Sequence, residues 1–315
     1  MRFKPSEALR FLAGLGIAAL VGLLIVFRVT SCAPPPPQNN LPMVGKLQPA
    51  LPPPAPVAPA IATGDCTRGP AAAAALNASS LTTLAWAPFK RPETGWATYA
   101  PLIAREIGTG CAPESPGFAR AFAAWEKGQE RPADGVLTAD DFKWMKGIIE
   151  SRRPLVLLAA QKICADPADA AALPFNRPGE GYGGKQIQLR AGAWDAYRRM
   201  VADARRTPEI AADPRNLTIF SGFRAPEADA ARCLADGNCD GVVRAVSCSP
   251  PRTRLALALY VGQAPGFGPD SSAEPNRRFM SQTPTYRWLV ANADRYGFAP
   301  YPFEPWHWEW TGEAP

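Results

Sequence analysis

The chain of 315 residues carries a single histidine, His307, set between Trp306 and Trp308 with Glu304 three residues before it. One histidine limits the chemistry available. Ser221 and Ser249 have no second histidine to take a proton, so activated-serine catalysis has no base. One imidazole by itself gives no reason to hold zinc at ordinary concentrations, because a catalytic zinc takes three protein ligands. The seven cysteines include no C-x-x-C pair of the kind that closes a structural zinc site. Gly179 to Gly184 (Gly-Glu-Gly-Tyr-Gly-Gly) lacks the Lys-Ser/Thr of a phosphate loop and reads as a flexible connector. A net charge of +6 with no dense Lys/Arg cluster argues against nucleic acid as a partner.

Four blocks occur in order between residues 221 and 308: Ser221-Gly222-Phe223-Arg224, the run from Ser249 to Tyr260, Tyr296-Gly297-Phe298, and Glu304-Pro305-Trp306-His307-Trp308. Together they resemble the VanY-like zinc D-alanyl-D-alanine carboxypeptidases. In that family S-G-[YF]-R precedes S-x-H-x-x-G-x-A-x-D, then a helix ending in Y-G-F, then E-P-W-H-W. The likeness covers roughly residues 185 to 312. It implies an α+β fold of the hedgehog/DD-peptidase kind, Zn²⁺ as cofactor and peptidoglycan stem peptides as partner. By position, His307 would be a metal ligand, Glu304 the general base on zinc-bound water, and Arg224 the cation that stabilises charge on the substrate carbonyl. Ser249 and Trp306 would line the substrate groove.

Two ligand positions depart from the family. Pro251 stands where the motif has histidine, and its tertiary amide nitrogen cannot coordinate. Ala258 stands where it has aspartate and offers only a methyl group. The motif glycine between them is Arg254, a bulky cation expected to crowd the metal position or a tight backbone. The resemblance therefore implies a cell-wall protein of metallopeptidase ancestry that is zinc-deficient and catalytically impaired. The alternative is an active D,D-carboxypeptidase that trims terminal D-Ala through substitute ligands, with Cys248, His307 and a carboxylate such as Asp240 or Asp270. Bland readings stand beside these. His307 also reads as a histidine packed in an aromatic strand, and Glu304 as an ion-pair partner of Arg224 or Arg254.

The elements that must position these residues follow from periodicity. Leu189, Trp194, Tyr197, Met200 and Val201 recur at helical spacing, ended by Pro208 and Pro214. Leu217 to Phe220 is β-rich, a second helix is expected after Pro226, and Leu255 to Val261 is a buried-strand candidate. Tyr286 to Tyr296 reads as a helix stopped by Gly297. Phe303 to Trp310 reads as a strand with Trp306, Trp308 and Trp310 on one face. Helices around a small mixed or antiparallel sheet make an α+β domain over residues 185–315.

Upstream, residues 66–184 read as a helical, aromatic-rich region. Within it Gly117 to Trp125, Asp134-Gly135-Val136 and Phe142 have a helix-turn-helix cadence. That cadence weakly resembles small peptidoglycan-binding modules and equally fits a generic hairpin with Asp-Gly at its turn. Residues 33–65 form a proline-rich linker, extended and semi-rigid. Residues 1–32 read as a membrane anchor or signal segment. Arg2, Lys4 and Arg10 precede an apolar run from Phe11 to Phe27, at the short end of the ~20 residues that span a bilayer. The expected location is the inner membrane, facing the periplasm. Val29-Thr30-Ser31-Cys32 leaves a lipoprotein through Cys32 as the alternative. Export suits the remaining six cysteines, an even set expected to pair, with at least one disulfide among Cys233, Cys239 and Cys248.

Overall fold

The computed structural model describes residues 65–161, 172–224, 227, 228, 231 and 250–312. Five helices come first: α1 (Ala71–Thr83), α2 (Ala100–Glu106), α3 (Pro116–Gly128), α4 (Ala139–Glu150) and α5 (Pro154–Ala160). A two-residue antiparallel ladder, β1 (Ala85–Trp86) with β2 (Glu93–Thr94), lies between α1 and α2. Then come α6 (Ala191–Ala204), α7 (Pro208–Ala211), β3 (Ile219–Ser221), β4 (Ala256–Leu259), α8 (Glu274–Gln282), α9 (Pro284–Asn292), β5 (Phe298–Pro300) and β6 (His307–Trp310). Strands β3 to β6 form one antiparallel sheet in the order β3-β4-β6-β5. This is an α+β fold.

Proline and short polar side chains set many of the helix starts. Pro116, Pro154, Pro208 and Pro284 occupy first-turn positions, where the missing N–H costs nothing. Ser115 and Thr283 accept from the backbone N–H groups of Phe118 and Tyr286. Thr138 and Asp141 form a reciprocal capping box on α4. The chain turns after α3 at Gln129-Glu130, and the expected turn residues Asp134-Gly135 follow in an irregular segment that leads into α4. Gly135 has φ +78°, and a Cβ there would lie 2.5 Å from the Ala119 carbonyl oxygen. Buried Asn77 holds this segment by donating to the Gly135 carbonyl and accepting from the Leu137 N–H.

The expected helix over Tyr286 to Tyr296 is α9 followed by a 3₁₀ turn, Ala293–Tyr296. It ends at Gly297, which is left-handed with φ +81°. The strand expected from Leu255 to Val261 shortens to β4, every residue of it buried. The last strand also shortens. Pro302 and Pro305 cannot donate to a ladder, and residues 301–306 instead turn, with Glu304 N–H on the Tyr301 carbonyl and His307 N–H on the Glu304 carbonyl. Trp306 thus lies before β6, and Trp308 and Trp310 alternate with His307 and Glu309 along it. The Gly-rich stretch is not the flexible connector expected. Gly181 bridges Ile219 beside β3, Tyr182 stacks on Tyr260, and Glu180 is gripped by Arg198 at 2.8 Å. A Cβ on Gly181 would fall 1.9 Å from the Lys185 carbonyl oxygen, so this tight fold-back needs glycine.

One hydrophobic core runs through Tyr99, Phe118 and Phe142 to Trp194, Leu257 and Trp308, joining residues on both sides of position 184. A buried ion pair reinforces the junction. Arg277 on α8 meets Glu93 on β2 at 2.8 Å, and the Tyr99 hydroxyl donates to the same carboxylate at 2.7 Å. Cys66 and Cys111 form a disulfide. Cys32, Cys164, Cys233, Cys239 and Cys248 lie outside the described residues, as do residues 1–64 and most of the helix expected after Pro226. No helix among the described residues is long and apolar enough to cross a membrane.

The Arg277–Glu93 pair gives a stability prediction. Removing one partner of a buried pair strands the other charge, so Glu93→Ala should lower unfolding stability by ~3–5 kcal/mol. Glu93→Leu combined with Arg277→Met should recover much of that loss. Urea unfolding of the two variants checks it, and equal losses in the single and double variants would contradict it.

Candidate functional site

Three of the motif positions lie in one row across the sheet. Ser221 on β3 pairs with Ala258 on β4, and Ala258 pairs with His307 on β6. Directly opposed residues of antiparallel strands bring their Cβ atoms within ~4.5–5.5 Å, so the Ala258 methyl stands beside the His307 ring. An irregularity between Ile219 and Ser221 shifts the register and brings Ser221 into the row. Arg224 follows three residues later, with Nη2 donating to Ser221 Oγ at 3.3 Å. Glu304 approaches from the turn before β6, its Oε2 3.9 Å from His307 Nδ1.

Pro251 lies in the 3₁₀ turn Pro250–Thr253 that leads into β4, and its carbonyl accepts from Arg254 N–H at 3.2 Å. Arg254 is buried and left-handed, with φ +62°. A backbone in that region costs a side-chain-bearing residue roughly 1–2 kcal/mol and glycine almost nothing. The position where the motif calls for glycine is thus one where glycine would be favoured. Trp306 is buried, so it contributes wall and not an exposed stacking face. Ser249 and Cys248 lie outside the described residues.

Three residues that sequence reasoning passed over complete the site. Glu309, two residues after His307 on β6, is fully buried, and its Oε1 lies 3.2 Å from His307 Nε2. The same oxygen accepts from Arg153 Nε at 2.7 Å, and Oε2 accepts from the Leu155 N–H at 3.1 Å. That N–H is one of the donors left open at the start of α5, whose N-cap residue, Arg153, does not cap the helix with its side chain. Tyr301 sits against the arginine, 4.2 Å from ring centroid to guanidinium carbon, and edge-on to the His307 ring. Burial alone would push the Glu309 carboxyl up. The Arg153 guanidinium, His307 and the Leu155 N–H outweigh it and hold the group at about 2, against an ordinary 4.5.

An ionised Glu309 only accepts hydrogen bonds. Neutral His307 must then carry its proton on Nε2, which leaves the Nδ1 lone pair facing Glu304. Carboxylate–histidine contacts of this kind fix the tautomer of metal-binding histidines. The described residues offer no further ligands, and the alternative ligands Cys248 and Asp240 lie outside them. Pro251 and Ala258 have no donor atoms, and among the described residues no group of three His, Cys, Asp or Glu side chains comes together. What remains is an imidazole and a carboxylate able to accept hydrogen bonds, with the Ser221-supported cation of Arg224 at the end of β3. No family model, curated protein or solved structure matches this chain.

Two readouts test the Glu309 arrangement. Because His307 is the only histidine, its imidazole ¹⁵N resonances are unambiguous. At alkaline pH they should show the Nε2–H tautomer, and an Nδ1–H pattern would contradict the contact. Since the folded carboxyl titrates below the unfolded one, its contribution is present above about 4.5 and disappears as pH falls towards about 2. Glu309→Gln should therefore flatten the loss of stability across that interval. An unchanged acid profile would mean that the group is not ionised in the fold.

Proposed function

We propose that this chain is a membrane-tethered, periplasm-facing cell-wall protein of zinc D-alanyl-D-alanine carboxypeptidase ancestry. Its C-terminal part would have a hedgehog/DD-peptidase-like fold and would recognise the ends of peptidoglycan stem peptides without a metal. The reading is supported chiefly by one observation. Ser221, Ala258 and His307, from three separate motif blocks, meet in a single row, with the motif's glycine position left-handed at Arg254. Chain order alone does not require separate blocks to converge.

Within this reading Arg224 receives the terminal carboxylate or the last peptide carbonyl, a charge-assisted bond. Glu304 and His307 Nδ1 accept from peptide N–H groups. The small side chain of Ala258 leaves space beside the imidazole. The reading therefore describes a binding protein and assigns it no hydrolytic step.

Titration of the full-length protein with diacetyl-L-Lys-D-Ala-D-Ala, followed through the His307 ring resonances, tests this. The D,D peptide should shift them saturably and its all-L isomer should not. Arg224→Ala should weaken binding about tenfold or more, the loss expected for one hydrogen bond to a charged group. No response to the D,D peptide, or an equal response to both isomers, would contradict the proposal.

A further inference from the structure

One buried carboxyl takes no part in the His307 row. Glu126 stands in the last turn of α3 and is 1% exposed. The charged groups that face it are Asp134, Asp141 and Arg131. Two of them repel a carboxylate. The third is committed elsewhere, since Arg131 Nε and Nη2 each lie 2.8 Å from Asp141 Oδ1. Helix α1, which packs on α3, brings no charge to the group, because Ala71–Thr83 has no ionisable side chain. The negative end of the α3 dipole lies in the same turn and disfavours an anion there. A carboxylate is therefore costly at this place, and a neutral carboxyl is much less so.

The same side chain holds the backbone that leads into α4. Glu126 Oε2 accepts from the Gly135 N–H at 2.8 Å. The Gly135 carbonyl and the Leu137 N–H are both taken by Asn77 on α1, at 2.9 Å each. Residues 134–137 are thus pinned by one side chain from α1 and one from α3. Between those bonds Val136 packs on Ala73, Ala74 and Ala119, a small apolar cluster shared by the two helices. Whether that cluster stays covered depends on a bond to a group that can change its charge.

Burial pushes the Glu126 carboxyl up to about 7, against an ordinary 4.5. Asp134 and Asp141 add to the rise, while the Gly135 N–H and Arg131 oppose it without cancelling it. A group that titrates higher in the fold than in the unfolded chain stabilises the fold fully below about 4.5. That contribution is lost as pH rises through about 7. A protonated carboxyl keeps a carbonyl oxygen, so the Gly135 bond survives in the neutral state. We propose that Glu126 is a pH-sensitive latch: in its neutral form it docks residues 134–137 onto α1 and α3, and its ionisation releases them and uncovers Ala73, Ala74 and Ala119. The latch lies outside the His307 row, and nothing in it depends on the stem-peptide reading.

The test is hydrogen exchange of the full-length protein, read on peptides spanning residues 134–137 and corrected for the intrinsic rate at each pH. Opening of this segment should increase about tenfold or more between about pH 5.5 and about pH 8 and then level off, as expected for a carboxyl whose folded and unfolded titrations differ by more than one unit. Glu126→Gln keeps an acceptor for the Gly135 N–H and stays neutral, so its opening should remain low and constant over that range. Asp134→Asn removes one repelling carboxylate and should move the levelling point to lower pH, a displacement that a purely structural glutamate would not show. At every pH the segment should exchange faster than α6, because the opening is local. Wild-type protection that does not vary with pH would overturn the proposal, and so would the wild-type pH dependence in Glu126→Gln. Protection equal to that of α6 would also overturn it, since only global unfolding would then release the segment. If Glu126→Gln does not fold, the Asp134→Asn protein decides, and an unmoved levelling point overturns the latch.

Discussion

Where α5 meets β6, a guanidinium and a carboxylate come together out of contact with water. Arg153 and Glu309 are both buried, and their charged ends lie 2.6 Å apart. Such a pair is expensive to bury and is tolerated only when every polar atom of the carboxylate is engaged. Here Glu309 is engaged three ways: by Arg153, by the N-terminus of α5 and by His307. Much else depends on that arrangement. It joins the helical first half of the chain to the strand that carries the imidazole, and it determines which ring nitrogen faces Glu304. The alanines of β4 fit the same constraint, since Ala256 lies opposite Glu309 and leaves room for a side chain that must be reached from α5.

Around His307 the described residues supply the supports of the proposed site more fully than its ligands. A carboxylate orients the histidine, a second carboxylate stands near its other nitrogen, and a cation is held at the end of β3. Pro251 and Ala258, which the proposed reading places at ligand positions, have no side-chain atoms to coordinate with. Arg254 adds a conformational oddity, since a long cationic side chain occupies a left-handed backbone position whose cost glycine would avoid.

How much of this could be read in advance varies with the range of the interaction. Local chemistry was partly legible: Gly297 ends the turn after α9, whereas Pro208, expected to end a helix, starts α7. Ser221, Ala258 and His307 could be nominated from their motif blocks, because spacing along the chain encodes strand register. Glu309 was half visible, since alternation along β6 puts it on the face of His307 and opposite to Trp308. Arg153 was not visible at all. It sits in an unremarkable Arg-Arg-Pro run 156 residues from its partner, and nothing in its neighbours announces burial. The Gly-rich stretch was misread for a related reason. Glycine signals both looseness and close approach, and only the Lys185 carbonyl beside Gly181 shows which applies.

On the proposed reading, positions 251 and 258 converge with His307 and lack only ligand atoms. Zinc content of the purified full-length protein, measured beside the triple variant Pro251→His, Arg254→Gly, Ala258→Asp, tests it most directly. The account predicts far less than one zinc for the unmodified chain and about one for the variant, the stoichiometry of a single catalytic site. A full zinc in the unmodified protein would contradict the account, and so would a folded triple variant that binds none.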